Sequence, residues 1–579
     1  MKSQNQIKFY KIFFIFTLFV FCILLLLSCS NKNFFVRFYL MDYSTPWMVK
    51  EVKEGSVIDI IPEPENSAGY IFDGWYLDED IWNVPFDSSI IIKSNLNVYG
   101  RYTKIISNLA EYKVTFKIDD QEQHIEKVYE GNVPQIYIPT LENKVFEGWY
   151  LDSNFAQEYV SKPVTSNIVL YGKWSTTQTL NDLFNFDSAN NTILGFKAGV
   201  NTAISLFIPS KINGILIKKI GDSAFENTSI ISLFIENQIE ELGQYSFYKC
   251  LKLSSVQLPE SLKFIGKSAF ENCSKIENIQ LPSGISKISD STFKDCIDLK
   301  TINLTNSLKE IGNLAFKSTA LEDLVIPESI TKIGINAYWS SKIKNLYFQK
   351  SLGELQICKE AFRDCKELEE VFFEQSNLIY SQIIIGEGCF YENTNLKRVS
   401  LSENICRIEK TAFAHCKLLN SIKLPKNNSE FITLFEDTFL GCENLLEIEV
   451  PQTITEIKQG VFASCKNLGD INLSENIQRI GKNAFYNCLK LKVINAHMLQ
   501  DLHTIGENAF AKCRSLEKFY LRECVTHIDA GAFNVGDSSV QFQVFVQANA
   551  RPDTWNTNWI THEENRVFYG KSVDNYLSI

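Results

Sequence analysis

The residues best suited to chemistry in this sequence are its fifteen cysteines. In an exported protein such a number suggests disulfides or a metal site. Nine of them, however, follow a recurring aromatic residue by three positions, in a slot that other repeats fill with Thr, Ser, Asn or Gly. We therefore expect buried free thiols, although cysteines stacked in neighbouring repeats would lie close enough to pair. The nine are Cys250, Cys273, Cys296, Cys365, Cys416, Cys442, Cys465, Cys488 and Cys513.

Other combinations of reactive residues are poor catalytic candidates. His562-Glu563-Glu564 lacks the second histidine that a zinc-protease helix places one turn later. Glu369-Glu370 resembles a glycosidase pair, but solvated carboxylates are common on an acidic surface. The sequence has no Gly-x-Ser-x-Gly, phosphate loop or Cys-x-x-Cys. We predict no catalytic residues, no metal and no cofactor, and keep a glycan-acting enzyme as the least favoured alternative.

Composition restricts the class of protein further. Hydrophobic residues make up 45% of the chain and charged residues 22%, which is enough apolar material for a core and excludes a disordered chain. The net charge of −11 argues against electrostatic binding of nucleic acid. We expect no nucleic-acid partner.

The first residues predict export. Lys2, Lys8 and Lys11 precede an apolar run from Ile12 to Leu27, which is too short for a permanent membrane helix. Leu26-Leu27-Ser28-Cys29 resembles the lipobox of bacterial lipoproteins. That resemblance implies a signal peptide at 1–28, acylation of Cys29, a lipidated tether at 29–34, anchoring to the cell membrane or outer membrane, and exposure at the cell surface. An uncleaved signal anchor is the alternative.

Two short repeats follow the anchor. Phe72-Asp-Gly-Trp-Tyr-Leu-Asp78 recurs as Phe146-Glu-Gly-Trp-Tyr-Leu-Asp152, and each copy opens with an alternating strand pattern. The segments 35–103 and 112–174 resemble the internalin B-type (Listeria-Bacteroides) repeat of bacterial surface proteins. The resemblance implies small β-grasp-like domains that act as a stalk. We expect Trp75 and Trp149 in the cores, with an exposed carbohydrate platform as the alternative.

The rest of the chain predicts a solenoid. From residue 200 an aromatic residue returns every 22 to 28 positions, and apolar residues alternate before it as in a half-buried strand. The motif Ile-x-x-Ile-Gly-x-x-Ala-Phe-x-x-Cys resembles the BspA-type leucine-rich repeat. We expect about 14 coils over 178–539 and a cap over 540–579, so the fold class is β-rich. The aromatics are Phe225, Phe247, Phe270, Phe293, Phe316, Tyr338, Phe362, Phe390, Phe413, Phe439, Phe462, Phe485, Phe510 and Phe533.

One outward column of the predicted sheet contains a candidate binding patch. In each coil the residue between the two inward positions of the first strand faces out, and most of these residues are polar. Three successive coils instead carry Val325, Tyr347 and Phe372, next to a polar rim and to an insertion around Ser376–Gln382. The alternative is cross-strand packing that only stiffens the sheet. The rim residues are Asp323, Asn345 and Glu370, and the same column is expected to end at Tyr520.

These features together predict a lipid-anchored surface interaction protein, similar to an adhesin. Its partners would be the membrane, through the lipid anchor, and a protein or glycan of a host or neighbouring cell. A structural envelope protein without a specific ligand is the main alternative.

Overall fold

The computed structural model describes residues 33–39, 48–53, 55–58, 70–76, 86, 90, 92, 96–104 and 110–577, with internal gaps at 138, 140, 142–143, 160–161, 177–178, 199, 201–204, 351–352, 375–381, 427–432 and 537–538. The chain divides into two compact units, Met1–Ala110 and Glu111–Ile579. Each unit is described separately below.

The first unit contains a four-stranded mixed sheet. Its strands are β1 (Asn33–Tyr39), β2 (Met48–Lys53), β3 (Tyr70–Tyr76) and β4 (Leu96–Lys104), in the order β2-β1-β4-β3. The two central strands are parallel and the outer pairs antiparallel. Trp75 lies in the core and contacts Phe38 edge-on at 4.9 Å, so its predicted role in packing is confirmed.

The second unit begins with a sheet of the same design. Its strands are β5 (Glu111–Ile118), β6 (Gln121–Tyr129), β7 (Phe146–Tyr150) and β8 (Ile168–Trp174), in the order β6-β5-β8-β7. The register also repeats: Val114 lies opposite Ile168 as Val36 lies opposite Leu96. Trp149 is 2% exposed, and its indole N–H donates to the Tyr137 carbonyl at 2.8 Å. The sequence duplication is therefore a duplication of structure.

The solenoid follows, and most coils contribute two short parallel strands. The first strands of the described coils form one series, which we call the outer sheet. They are β11 (Ser205–Ile208), β15 (Ser232–Ile235), β17 (Ser255–Gln257), β19 (Asn278–Gln280), β21 (Thr301–Asn303), β23 (Asp323–Ile326), β25 (Asn345–Phe348), β27 (Glu370–Phe373), β29 (Arg398–Ser400), β31 (Ser421–Lys423), β32 (Glu447–Glu449), β34 (Asp470–Asn472), β36 (Val493–Ile494), β38 (Lys518–Leu521) and β40 (Gln543–Val546).

The second strands form a parallel series on another side of the core. They are β10 (Thr192–Phe196), β14 (Lys219–Ile220), β16 (Glu241–Leu242), β18 (Phe264–Ile265), β20 (Lys287–Ile288), β22 (Glu310–Ile311), β24 (Lys332–Ile333), β26 (Leu355–Ile357), β28 (Ile383–Ile385), β30 (Ile405–Ile408), β33 (Glu456–Ile457), β35 (Arg479–Ile480), β37 (Thr504–Ile505) and β39 (His527–Ile528). The β-rich solenoid fold is therefore confirmed, with fifteen outer-sheet strands in the described part against the 14 or so coils expected.

Few other elements occur in the described residues. A strand β9 (Phe184–Asp187) pairs with β10, and β12 (Lys211–Ile212) pairs with β13 (Ile215–Leu216). The helical segments are α1 (Leu180–Leu183), a 3₁₀ turn (Ala496–Met498), α2 (Glu563–Arg566) and α3 (Val573–Leu577), and β41 (Val567–Phe568) joins β40.

A ladder of aromatic rings occupies the axis of the solenoid. From Phe225 to Phe533 each repeat ring stacks on the ring of the next coil, with centroids 5.0 to 5.8 Å apart and planes within 3° to 19° of parallel. All fourteen rings are fully buried. Because one coil alone would leave its ring half uncovered, the coils are stable only as a stack.

The turns that carry this ladder leave little room between coils. A Cβ added at Gly266 or Gly312 would lie 2.5 to 2.6 Å from backbone atoms of the preceding coil, which explains the glycine of the repeat motif. The turns also hold residues such as Tyr245 and Leu314 in the left-handed region, both at φ 56°. Their backbone N–H groups donate to carbonyls of the next coil at 2.9 and 3.0 Å, which offsets the strain.

Candidate binding surface on the outer sheet

The structure brings together the six residues predicted for the binding patch. Val325, Tyr347, Phe372 and Ser400 are successive cross-strand partners on β23, β25, β27 and β29. Asp323, Asn345 and Glu370 are partners in the same way, two positions earlier. The strands are in this register because their inward residues must fill the core, and a shift of one residue would reverse the two faces.

The aromatic part of the patch is a pair of stacked rings. The Tyr347 and Phe372 rings lie 5.0 Å apart at 15°, and both side chains are half-buried. Val325 beside them is 50% exposed. Directly beneath, the inward Phe348 and Phe373 rings stack at 4.2 Å and 2°. The outer pair therefore stands on a rigid aromatic base and presents apolar surface to solvent.

Hydrogen bonds fix the polar rim. The Asn345 amide donates to Asp323 at 2.7 Å, and the Arg398 guanidinium donates to Glu370 through Nε at 3.1 Å. The Tyr347 hydroxyl donates to the Glu374 carboxylate at 2.9 Å. An apolar centre with a satisfied polar border is typical of protein interaction sites. Residues 376–381, most of the insertion predicted around Ser376–Gln382, lie outside the described residues.

Aromatic residues also occupy the outward column near its two ends, and there the chain itself covers them. Phe207 and Phe234 stack at 4.7 Å, and Phe146 of the second small sheet meets Phe207 edge-on at 4.7 Å and 86°. Sequence reasoning missed both rings. The cover on these rings depends on a contact with a distant segment of the chain, which no local pattern of the sequence indicates.

Tyr520 lies in the outward column as expected, paired with Phe545, but the chain covers it and it is not exposed to solvent. Its side chain is 1% exposed, and its hydroxyl donates to the Lys571 carbonyl at 3.2 Å. The ring of Tyr576 in α3 lies over Tyr520 at 5.7 Å and over Phe545 at 5.9 Å. The terminal segment of the described chain thus folds back over the last outer-sheet strands. This long-range return has no local signature in the sequence.

The slot cysteines are buried and free. All nine are fully buried, and no disulfide links any of the thirteen cysteines in the described part of the chain. Each slot thiol donates to the carbonyl of the ladder aromatic in the preceding coil, at 3.0 to 3.3 Å. Burial raises the pKa of the Cys365 and Cys442 thiols to about 12, so they are poor nucleophiles at neutral pH.

The carboxylates considered for catalysis are held by cations or other donors. Glu369 is bonded to Lys397 at 2.7 Å, which lowers the pKa of Glu369 and so opposes a role as general acid. Glu563 accepts from the Tyr569 hydroxyl at 2.5 Å and lies 3.5 Å from Arg551. Over the described residues no group of three His, Cys, Asp or Glu side chains is arranged to hold a metal ion.

The predicted lipidation residue, Cys29, lies outside the described residues. Within the part that the structure does describe, no helix combines the length and apolar character that crossing a membrane requires.

These coils define the class of protein: a leucine-rich-repeat solenoid with a continuous core and a partly covered outer sheet. Family comparison agrees. Residues 218–344, 331–435 and 432–545 match the BspA type leucine rich repeat region, more than half of the chain, and the protein belongs to this family. Residues 36–101 and 112–173 match the Listeria-Bacteroides repeat domain, as the sequence predicted.

Solved structures of similar proteins cover roughly two thirds of this chain. A leucine-rich repeat protein from Bacteroides ovatus is 21% identical and covers 62% of this chain and 97% of its own, with a TM-score of 0.42. A leucine rich cell surface protein from Faecalibacterium prausnitzii is 22% identical, covering 68% and 95%, with a TM-score of 0.33. The pneumococcal vaccine antigen PcpA is 19% identical, covering 66% and 94%, with a TM-score of 0.36.

Curated relatives match a smaller part of the chain. Two proteins of Evansella cellulosilytica that carry membrane-protein names are 28% and 25% identical over 120 and 124 residues. Each match spans 20% of this chain, but only 13% and 18% of the respective relative.

Proposed function

We propose that this protein is a bacterial cell-surface interaction protein that binds a partner protein through the Val325–Tyr347–Phe372 patch. The observation that carries the proposal is the stacked Tyr347–Phe372 pair, which stands on the outer sheet between polar columns. Membership of the BspA type family agrees with a role in surface interaction. Large apolar side chains grouped on an otherwise polar surface favour partner binding.

Contacts within the protein indicate which kind of partner the patch would bind. At the start of the outer column, Phe146 packs edge-on against Phe207, which stacks on Phe234. Near its end, Tyr576 packs edge-on against Phe545 at 77°. Both contacts bury an aromatic ring against outward rings of this sheet. We therefore favour a protein partner that inserts an aromatic side chain, rather than a glycan.

Export and a lipid anchor on Cys29 belong to the same proposal. They rest on the basic start, the short apolar run and the Leu-Leu-Ser-Cys sequence. Metabolic labelling with palmitate in a bacterial host should mark the wild-type chain and not the Cys29→Ala variant. Labelling of both chains, or of neither, would contradict the anchor.

We further propose that the protein is not an enzyme, because the carboxylates considered for catalysis are fixed by partners. A structural envelope protein without a ligand remains the alternative. Binding to panels of immobilised extracellular-matrix proteins and glycans separates these functions. The patch variant Tyr347→Ala/Phe372→Ala should lose binding to the protein that binds wild type best.

A matched control lies in the same column. Gln280 and Asn472 are exposed outward residues of β19 and β34, and Gln280→Ala/Asn472→Ala removes two side chains without touching the rings. This variant should bind as wild type does. Equal binding by the patch variant and wild type, or binding to glycans alone, would overturn the proposal.

A further inference from the structure

We propose a second binding site, for a sugar that carries a carboxylate, in a cleft between the second small sheet and the first coil. The cleft has a volume of about 490 Å³. Its aromatic wall consists of Phe146, Trp174 and Phe207, and Lys144, Lys211 and Glu236 supply charge. None of these residues belongs to the Val325–Tyr347–Phe372 patch, so the proposal is independent of the proposed function.

The aromatic wall is fixed by packing. The Phe146 ring meets Trp174 at 5.1 Å and 72°, and Phe207 at 4.7 Å and 86°. Phe146 and Phe207 are 6% and 8% exposed, whereas Trp174 is half-buried and lines the cleft. An indole that lines a cleft offers an apolar surface for the C–H groups of a sugar ring.

The charges of the cleft favour an anion. Lys144 and Lys211 are exposed, and among the described residues neither ammonium lies within 4.0 Å of a carboxylate. Three other lysines of the first coils, Lys218, Lys219 and Lys263, are paired with glutamates. The Glu236 carboxylate accepts from the Ser210 backbone N–H at 2.7 Å, which fixes its position. Two unpaired cations in an acidic protein select a carboxylate ligand.

Contacts outside the cleft hold its two walls at a fixed distance. The Gln257 side chain accepts from the Ile136 N–H at 2.8 Å and donates to the Ile136 carbonyl at 3.0 Å. The Ser205 hydroxyl donates to Glu158 at 2.6 Å. Because both walls belong to one compact unit and share a core, the cleft exists before a ligand arrives. Preformed clefts at domain junctions are a common place for small ligands.

The test uses the exported protein with glucuronic acid and N-acetylneuraminic acid as probes, and glucose as the uncharged control. Saturation-transfer NMR should detect both acids but not glucose. Lys144→Glu/Lys211→Glu should weaken binding of the acids at least tenfold, whereas Lys267→Glu, an exposed lysine outside the cleft, should not. Circular dichroism confirms that the variants fold.

Three results would overturn the inference: no binding of either acid, binding unchanged in the double variant, or stronger binding of the carboxylate peptide N-acetyl-Leu-Phe. The last result would assign the cleft to a peptide terminus. The Tyr347→Ala/Phe372→Ala variant should bind the sugar acids normally, so that failure of this site and failure of the patch can be distinguished.

Discussion

At the scale of single residues, the cysteine slot shows why this position accepts such different side chains. Its nine thiols each satisfy the carbonyl of a ladder aromatic in the preceding coil. Asn393 fills the same slot and donates its amide to the Phe362 carbonyl at 3.1 Å. Small size is therefore the requirement, and most of the residues in the slot also supply a side-chain donor; redox or metal chemistry is not needed to explain the cysteines.

Because the thiols are buried, we predict that the protein loses stability at alkaline pH. The folded-state pKa of Cys365 and Cys442 is raised to about 12, above the value of roughly 8.5 expected in the unfolded chain. The contribution of these thiols to the free energy of unfolding is complete at a pH below their pKa in the unfolded chain. It is lost as the pH rises towards their pKa in the folded protein. Between pH 9 and 11 each such thiol should reduce the free energy of unfolding by about 1.4 kcal/mol per pH unit.

Urea unfolding at pH 7 to 10.5 measures this dependence. The variant Cys442→Thr keeps a donor in the slot, as Thr228 and Thr319 do. It should reduce the slope of the free energy of unfolding against pH by the contribution of one thiol. A slope that is the same in wild type and in this variant would contradict the raised pKa.

A second prediction at the scale of residues concerns the hydroxyl of Tyr338. It is the one tyrosine among the fourteen ladder rings, and its buried hydroxyl has no hydrogen-bond partner among the described residues. An unsatisfied buried hydroxyl costs about 1–3 kcal/mol. Tyr338→Phe should therefore raise the free energy of unfolding by an amount in that range, measured by urea denaturation. A loss of stability would show that the hydroxyl is bonded.

At the scale of elements, much of the fold could be predicted from the sequence, because one period repeats. Alternation placed Val325, Tyr347 and Phe372 on one face, and strand pairing fixed them side by side. The sequence did not predict that other segments of the chain cover the outward column of the outer sheet near its two ends. It depends on contacts between distant segments, such as Phe146 with Phe207 and Tyr576 with Tyr520, and no local pattern encodes them.

The second small sheet packs against the start of the solenoid. It belongs to the same compact unit as the solenoid, and its core includes Phe207 and Phe234 of the outer sheet. Residues 178–579 alone would leave these two rings exposed. This truncated chain should therefore self-associate and bind an apolar dye, whereas residues 111–579 should remain monomeric, as measured by light scattering and dye fluorescence.

A polar replacement provides the control for this truncation. Phe207→Gln/Phe234→Gln gives the first strands the residue type that β17 carries at Gln257, and should restore a monomer to residues 178–579. A monomeric 178–579 chain without these substitutions would contradict the covering role of the sheet.

At the scale of the whole molecule, one apolar core runs through the described coils from Leu180 to Tyr576. The interior is therefore used for stability, and the two binding sites that we propose lie outside it, on the outer sheet and at the junction with the second small sheet. The net charge of −11 adds a long-range preference for partners that are not strongly acidic. The small cleft with two unpaired lysines is a local exception to this preference.

The most direct test of the account is hydroxyl-radical footprinting of the protein with the matrix protein that binds it best. Free in solution, Tyr347 and Phe372 should be oxidised readily, while the covered Phe234 and Tyr520 should not. On binding, oxidation of Tyr347 and Phe372 should fall severalfold. Unchanged oxidation of both rings in a saturated complex would contradict the central claim that this patch is the binding surface.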